Sequence, residues 1–293
     1  MRWIAALGVM TAALGVSVSV QAIDQPAAVQ TMVSGPTQQM GNGHAHLYAQ
    51  LDAAGAPRAL GISFERAMLD GLPDTPNTYS RCFDKNGNGK IDPAGECNGD
   101  FEIDFPVPAE LASKATTPFK WASVNWNPHG HPHPAPPPWA VPHFDFHFYL
   151  QPREETHAIH PGPCAELIDC DDFKRAQVPV PAQYVHGDHI DVGAAVPDMG
   201  NHLIDKNAPE LAPNGPPFTH TFIFGAYDGK ITFYEPMITR EFLASQPDMC
   251  APVKQPQAWA IAGAYPTTYC IRYIAGEDRF TVSLEGFVAR PAS

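Results

Sequence analysis

Basic side chains are scarce in this sequence. It contains 18 lysines and arginines against 31 aspartates and glutamates, which gives a formal net charge of −13 at pH 7. Proteins that bind nucleic acid or anionic membrane surfaces do so with clustered lysine and arginine, so neither is a predicted partner. The acidity favours solubility and carries no information about the fold.

Long apolar runs are missing after the first 22 residues. Residues 1–22 combine an arginine at position 2 with an apolar stretch that ends in small residues, which is the pattern of a secretory signal peptide. The stretch is short for a membrane anchor and is followed by polar sequence without a basic stop signal. We therefore expect cleavage near Ala22, no membrane anchor after cleavage, and a periplasmic or secreted protein.

No cysteine lies in a Cys-x-x-Cys motif, the spacing typical of zinc ribbons and redox sites. An even number of cysteines in an exported chain instead predicts disulfides, and six cysteines allow 15 connectivities. The six form three sequence-near pairs: Cys82 with Cys97, Cys164 with Cys170, and Cys250 with Cys270. We predict these nearest-neighbour bridges as reinforcement of a domain that also has a sizeable apolar core.

Long uninterrupted helical segments are also missing, because 32 prolines interrupt the chain. Asp228-Gly229 between two apolar segments predicts a β-hairpin. A second hairpin is predicted over residues 269–287. Thr239 predicts the N-cap of one short helix.

The domain organisation follows from these patterns. Residues 23–42 contain few large apolar side chains and predict a flexible leader. Residues 43–293 predict a single domain that is mainly β, or α+β with few short helices. We expect an antiparallel sheet or a barrel-like arrangement, reinforced by the disulfides.

The segment His143–Leu150 alternates strictly between apolar and ionisable residues. Successive side chains of a strand point to opposite faces, so the phenylalanines and the leucine face a core. The other face collects His143, Asp145, His147 and Tyr149. Neighbours on one face are about 6.7 Å apart, so Asp145 can share an ion with either histidine. The two histidines, about 13 Å apart, could share an ion only through a bulge or strong curvature.

Further candidate ligands lie elsewhere in the chain. We predict that Asp145 and one histidine of the strand meet His202, with His131 or Glu235 completing the pocket and Tyr149 at its rim. Imidazole and carboxylate ligands suit zinc, iron, manganese or copper. The alternative is that these histidines are hydrogen-bonded or exposed and bind nothing.

The motifs around this strand are ordered over roughly residues 120–245. They are Gly130-His131-Pro132, Trp139, Pro142–Tyr149, Val196-Pro197-x-Met199-Gly200-x-His202, Pro216, Phe218-Thr219, Thr221–Ile223 and Glu235–Thr239. This series resembles an uncharacterised exported bacterial family that includes a ring-forming thermophile protein under sigma-E control. The resemblance implies a shared β-rich fold and a homo-oligomer, but it implies no reaction.

The segment between Cys82 and Cys97 departs from that family and resembles an EF-hand-type calcium loop. A glycine at its sixth position allows the sharp turn, while Gly95 replaces the usual bidentate acid and Glu96 follows one residue late. An Asn-Gly-rich turn that binds nothing is the alternative to a calcium site. The candidate calcium ligands are Asp84, Asn86, Asn88, Lys90, Asp92 and Glu96.

Two functions from different classes follow from these patterns. The first is an exported protein with a His/Asp-lined pocket that binds a divalent metal or a small polar ligand, with no reaction assigned. The second is a non-catalytic, self-assembling structural protein of the cell envelope or stress response. Catalysis requires groups that converge in one cleft, and no single motif predicts such convergence.

Overall fold

The computed structural model describes residues 31–114, 117–131 and 138–293. The predicted signal peptide lies outside the described residues. Antiparallel strands dominate the secondary structure, which confirms the predicted fold class. The strands are β1 (Thr31–Met40), β2 (Gly43–Leu51), β3 (Pro57–Glu65), β4 (Phe101–Pro106), β5 (Trp121–Asn127), β6 (His143–Tyr149), β7 (Pro161–Cys164), β8 (His189–Val196), β9 (Gly200–Asp205), β10 (His220–Tyr227), β11 (Lys230–Thr239), β12 (Asp248–Pro252), β13 (Gly263–Tyr265), β14 (Thr268–Ile274), β15 (Arg279–Glu285) and β16 (Val288–Arg290).

The helices are short. In the described ranges, no helix has the length and apolar character needed to cross a membrane. Thr239 caps the last helix as predicted, because its hydroxyl oxygen accepts the backbone N–H of Phe242 at 3.1 Å. The α-helices are α1 (Pro93–Glu96), α2 (Ala109–Lys114), α3 (Arg153–Thr156), α4 (Cys170–Ala176) and α5 (Arg240–Ala244), and single 3₁₀ turns occupy Arg66–Leu69, Ala182–Tyr184 and Pro209–Leu211.

Two large antiparallel sheets form a sandwich. One has the strand order β1-β2-β3-β15-β14-β12, and the other has the order β4-β5-β6-β11-β10-β9-β8. Strands β13 and β16 form a small separate pair. Each large sheet ends in two edge strands, so over the described residues the domain is an open sandwich and the barrel-like alternative does not apply.

The two large sheets meet in an aromatic core. Phe146 of β6 stacks on Phe64 of β3 with ring centroids 5.7 Å apart, and Phe64 stacks on Phe280 of β15 at 5.3 Å. Phe144, Phe146 and Phe148 are fully buried, which confirms the predicted core face of β6. Burying one such side chain contributes roughly 1.5–3 kcal/mol, so these rings hold β6 firmly in place.

The predicted hairpins both form. Strands β10 and β11 are joined by Asp228 and Gly229, whose φ angles are 52° and 72°. Positive φ at both central residues is what a tight type I′ hairpin turn requires. Strands β14 and β15 form the second hairpin, as predicted.

The predicted flexible leader is corrected for the residues that the structure describes. Thr31–Met40 is strand β1, which pairs with β2 at the edge of the six-stranded sheet. An edge strand needs little apolar surface, and Val33 and Met40 are its buried side chains. The register of β1 against β2 shifts between Ser34 and Thr37, where a Gly-Pro pair lies. Proline cannot donate a hydrogen bond to a neighbouring strand, and an edge strand tolerates it because one of its sides has no neighbour.

The predicted disulfide connectivity is confirmed. Each cysteine bonds its near neighbour, and the described residues include no free cysteine. Cys250 and Cys270 lie directly opposite each other on β12 and β14. Cys82 and Cys97 close the loop that resembles a calcium site.

Candidate metal centre

The outer face of the seven-stranded sheet carries the ionisable side chains, and it is covered. Trp139 and Phe218 pack over one part of it, and Met199 and Phe233 pack over another. The histidines and the aspartate of β6 are therefore buried on this face as completely as the phenylalanines on the other. Ionisable groups removed from water in this way need charged partners, hydrogen bonds or a cation.

Three of the predicted residues form a group that we call the buried centre: His147 on β6, His202 on β9 and Glu235 on β11. His147 Nε2 lies 3.6 Å from Glu235 Oε1, and His202 Nε2 lies 3.8 Å from Glu235 Oε2. One ligand atom from each residue lies within 4.8 Å of the others. These separations are too long for hydrogen bonds but suit ligands that surround one small ion.

His202 reaches Glu235 across the intervening strand β10 because Gly225 leaves a gap there. Gly225 pairs with His202 on one side and with Phe233 on the other. A Cβ at this position would lie 2.1 Å from the ring of Phe233, so no other residue fits. The ring of Phe233 lies 4.9 Å from that of His147 and 5.2 Å from that of His202, and it gives the centre an apolar side.

The hydrogen bonds of His202 fix its tautomer. Its Nδ1 lies 2.9 Å from the carbonyl oxygen of Ala194. Because a carbonyl oxygen can only accept, Nδ1 carries the proton, and the lone pair of Nε2 points towards Glu235. This is the arrangement of a histidine that binds a metal ion, whose second nitrogen is held by a carbonyl or carboxylate.

A chain of hydrogen bonds does the same for His147. Asn125 donates its amide N–H to Asp100, which turns the amide oxygen towards Ser123. Ser123 donates its hydroxyl to that oxygen at 3.2 Å, so its own oxygen accepts from His147 Nδ1 at 3.4 Å. The lone pair of His147 Nε2 therefore also faces Glu235.

Burial determines the protonation of the buried centre. It lowers the pKa of His147 to about 3 and that of His202 to about 4. Burial, followed by the nearby charge of Asp145, raises the pKa of Glu235 well above its ordinary value. His147 Nε2 and Glu235 Oε2 have no hydrogen-bond partner. The two imidazoles are thus neutral ligands, and a divalent ion would take the place of the carboxyl proton.

The other three predicted residues form a second group, the Asp145 cluster, made of His131, His143 and Asp145. Asp145 Oδ1 lies 3.2 Å from His143 Nε2, and Asp145 Oδ2 lies 3.1 Å from His131 Nε2. Asn127 donates to Asp145 Oδ2 at 2.8 Å. Burial would raise the pKa of Asp145, but the charges of His143 and His131 hold it well below its ordinary range.

The predicted single pocket is therefore corrected to two adjacent groups. Asp145 pairs with His143 on its own strand and with His131 from the preceding loop, and His147 joins His202 instead. Tyr149, predicted at the rim, is fully buried and stacks on Trp121 with ring centroids 3.9 Å apart. It lies beside His147, beneath the surface of the protein.

A row of uncharged polar residues on β5 supports both groups and was missed by the sequence reasoning. Ser123, Asn125 and Asn127 alternate with apolar residues along the strand and are buried next to β6. The alternation of polar and apolar residues over positions 122–127 is visible in the sequence. It was overlooked because none of these side chains ionises.

Arg81 is the buried cation of this layer, with 4% of its side chain exposed. It contacts the carboxylates of Asp100, Glu102 and Asp198. Burial alone would lower the pKa of Arg81, but Asp100 and Glu102 raise it. Arg81 and Asp100 flank the loop closed by the Cys82–Cys97 disulfide, so this loop positions the start of the hydrogen-bond chain to His147.

Two other groups among the described residues have metal-like spacing: Glu102, Asp104 and His157, and Cys250, Cys270 and Glu285. In the first, Arg81 and Arg153 already neutralise the two acids. In the second, the sulfur atoms are bonded to each other. Neither group is a candidate centre.

The loop between Cys82 and Cys97 has the internal hydrogen bonds of a tight acidic turn. Asp84 accepts the backbone N–H groups of Asn88 and Gly89 at 3.1 Å and 2.7 Å. The buried carboxylate of Glu96 closes the loop from inside by accepting backbone N–H groups of Lys85, Asn86 and Asp92. The calcium site stays a prediction.

A cavity of about 700 Å³ lies on the core side of the seven-stranded sheet, where Phe224 and Tyr234 line it. None of the six residues of the two groups lines this cavity. His147 and Glu235 are at most 1% exposed. His202 is 15% exposed, so the side of the buried centre that reaches towards solvent is the one at His202.

No family model matches the chain, and it matches no curated protein and no solved structure. The resemblance to the exported bacterial family therefore stays a prediction.

Proposed function

We propose that this is an exported metal-binding protein whose buried centre holds one divalent transition-metal ion. The observation that carries the proposal is the convergence of two imidazole nitrogens and one carboxyl group, in which His147 Nε2 and Glu235 Oε2 have no hydrogen-bond partner among the described residues. Without a metal ion, burial leaves the two imidazoles and the protonated carboxyl group without well-formed hydrogen bonds, and a divalent ion would satisfy all three once it displaces that proton. Three disulfides support a location in the periplasm or outside the cell, since they persist in oxidising compartments.

The donor set defines the class of metal. Two histidines and one carboxylate suit zinc, iron, manganese or copper, and a facial arrangement with open positions is typical of iron(II). We assign metal binding to this centre and no reaction. The apolar ring of Phe233 excludes water from one side and strengthens the electrostatic attraction for the ion.

Replacing Glu235 by glutamine should lower the bound metal by one equivalent per chain, because an amide cannot supply the negative charge. The measurement is elemental analysis of the purified mature protein after zinc loading and desalting. Glu210→Gln is the matched control, since Glu210 belongs to the same outer layer and accepts a hydrogen bond from Trp139 but lies outside both groups. Equal metal content in both variants and in the wild type would contradict the buried centre.

The second interpretation is a polar layer that serves structure alone, in a protein that assembles with itself. It predicts near-zero metal content in the wild type together with a large species in size-exclusion chromatography. A small polar ligand in place of a metal predicts no metal but a ligand that is released on denaturation and detected by mass spectrometry.

Calcium in the loop between Cys82 and Cys97 is a separate prediction. Asp84→Ala should lower the melting temperature more in calcium buffer than in chelator, because the ion binds only the folded loop, whereas the hydrogen bonds from Asn88 and Gly89 are lost in both. At free calcium 100-fold above Kd the stabilisation is about 2.7 kcal/mol, a shift of several degrees.

Lys90→Ala is the control for the calcium experiment. Lys90 occupies the position that contributes a backbone carbonyl in such loops, so loss of its side chain should leave calcium binding intact. If the wild type melts at one temperature with and without calcium, the segment is a turn that binds no ion.

A further inference from the structure

The Asp145 cluster has the same composition as the buried centre, two histidines and one carboxylate, but it differs in its access to solvent. Asp145 and His143 are buried, whereas 39% of the His131 side chain is exposed. His143 Nε2 and Asp145 Oδ1 lack hydrogen-bond partners although they are buried and face each other at 3.2 Å. A divalent ion held between these two atoms and His131 would satisfy both of them at once.

The surroundings of the cluster prepare its atoms for an ion. His143 Nδ1 donates to the carbonyl oxygen of Val141 at 2.7 Å, so its Nε2 faces Asp145 and would offer a lone pair to an ion that displaces the proton of this ion pair. Asn127 orients the carboxylate of Asp145 by donating to Oδ2. Both contacts are of the kind that hold metal-binding side chains in position.

Backbone contacts of residues 130 and 131 hold His131 over β6. Gly130 has a φ of 69°, and a Cβ at this residue would lie 2.0 Å from the carbonyl oxygen of Trp139. The backbone N–H of His131 donates to that same oxygen at 3.0 Å. The position of His131 is thus set by backbone contacts, and its ring packs edge-on against His143 with centroids 4.7 Å apart.

We propose that His131, His143 and Asp145 form a second metal site, which binds a divalent transition-metal ion and exchanges it with solvent faster than the buried centre does. It uses none of the ligands of the buried centre, so either site can exist without the other. The two sites lie side by side on β6, where alternate residues are about 6.7 Å apart. The side chain of His131 is 39% exposed against 15% for His202, so the ion has a wider route to solvent from the Asp145 cluster than from the buried centre.

The test is zinc stoichiometry of the metal-free mature protein, followed by the rate at which a chelator removes the zinc. We expect two equivalents in the wild type, removed in two phases whose rates differ at least tenfold. His131→Gln should bind one equivalent and lose the fast phase, and it leaves the buried residues untouched. His129→Gln is the matched control, because His129 is an exposed histidine of the same loop that contacts the carbonyl of Asp74.

Asp145→Asn and Glu235→Gln separate the two proposals. Glu235→Gln should lose the slow phase of zinc removal and keep the fast phase. Asp145→Asn should lose the fast phase and keep the slow phase. If the wild type binds one ion that depends on Glu235 but not on His131, the second site is refuted and the buried centre stands. One ion that depends on His131 but not on Glu235 refutes the buried centre instead. Two ions removed at one rate refute the difference in exchange, and no ion refutes both sites.

Discussion

Replacing Arg81 by methionine is expected to lower the free energy of unfolding by roughly 3–5 kcal/mol, or about 6 to 20 °C in melting temperature. The substitution keeps the length of the side chain but removes its charge. Asp100 and Glu102 then stay buried without their cation, and leaving a buried charge unpaired is far more costly than losing a surface ion pair. Denaturant unfolding of the disulfide-bonded protein measures the loss.

Arg175→Met is the control for this experiment. Arg175 pairs with Asp228 at 3.5 Å, with about half of each side chain exposed, so its loss should cost at most about 1 kcal/mol. Arg81→Lys should fall between the two, because it keeps the charge but not the planar fork that reaches several carboxylates. Equal costs for Arg81→Met and Arg175→Met would mean that the buried acids are neutral or hydrated in solution.

Much of the fold was predictable because its signals are local. The alternation of His143–Tyr149 identified a strand and its core face, Asp228-Gly229 identified a hairpin, and the spacing of the cysteines identified the disulfides. The edge strand β1 was not predictable in this way. It is held by pairing with β2 and buries Val33 and Met40 among its ten residues, which leaves almost no hydrophobic pattern.

The candidate site was predictable in its residue types but not in its grouping. The sequence indicated all six histidines and carboxylates, yet it placed Asp145 with His202. Which residues meet depends on the strand order, because His202 reaches β11 only past Gly225 on the strand between them. The contact of Arg81 with Asp198 joins positions 117 residues apart and has no local signal at all.

Acidification should weaken the metal-free protein through its buried histidines, and His202→Gln isolates one of them. The unfolded chain takes up a proton at this histidine below about pH 6.5. In the folded protein burial lowers the pKa of His202 to about 4. The stability that neutral His202 contributes is therefore complete above pH 6.5 and is lost as the pH falls towards 4.

His202→Gln lowers the free energy of unfolding, and this loss should be about 2.7 kcal/mol smaller at pH 4.5 than at pH 7.5. At pH 4.5 the wild type is two pH units below the pKa of an unfolded histidine, and each unit costs it about 1.36 kcal/mol, whereas glutamine does not titrate. His189→Gln is the matched control, because burial lowers the pKa of His189 on β8 to about 4 as well. Both variants should show the same pH trend without metal, measured by urea unfolding.

Added zinc at pH 7.5 should stabilise the wild type and His189→Gln more than His202→Gln, which lacks a ligand of the buried centre. A cost of His202→Gln that does not change with pH would mean that burial does not lower the pKa of this imidazole, and His202 would then not be the buried neutral ligand that the metal centre requires.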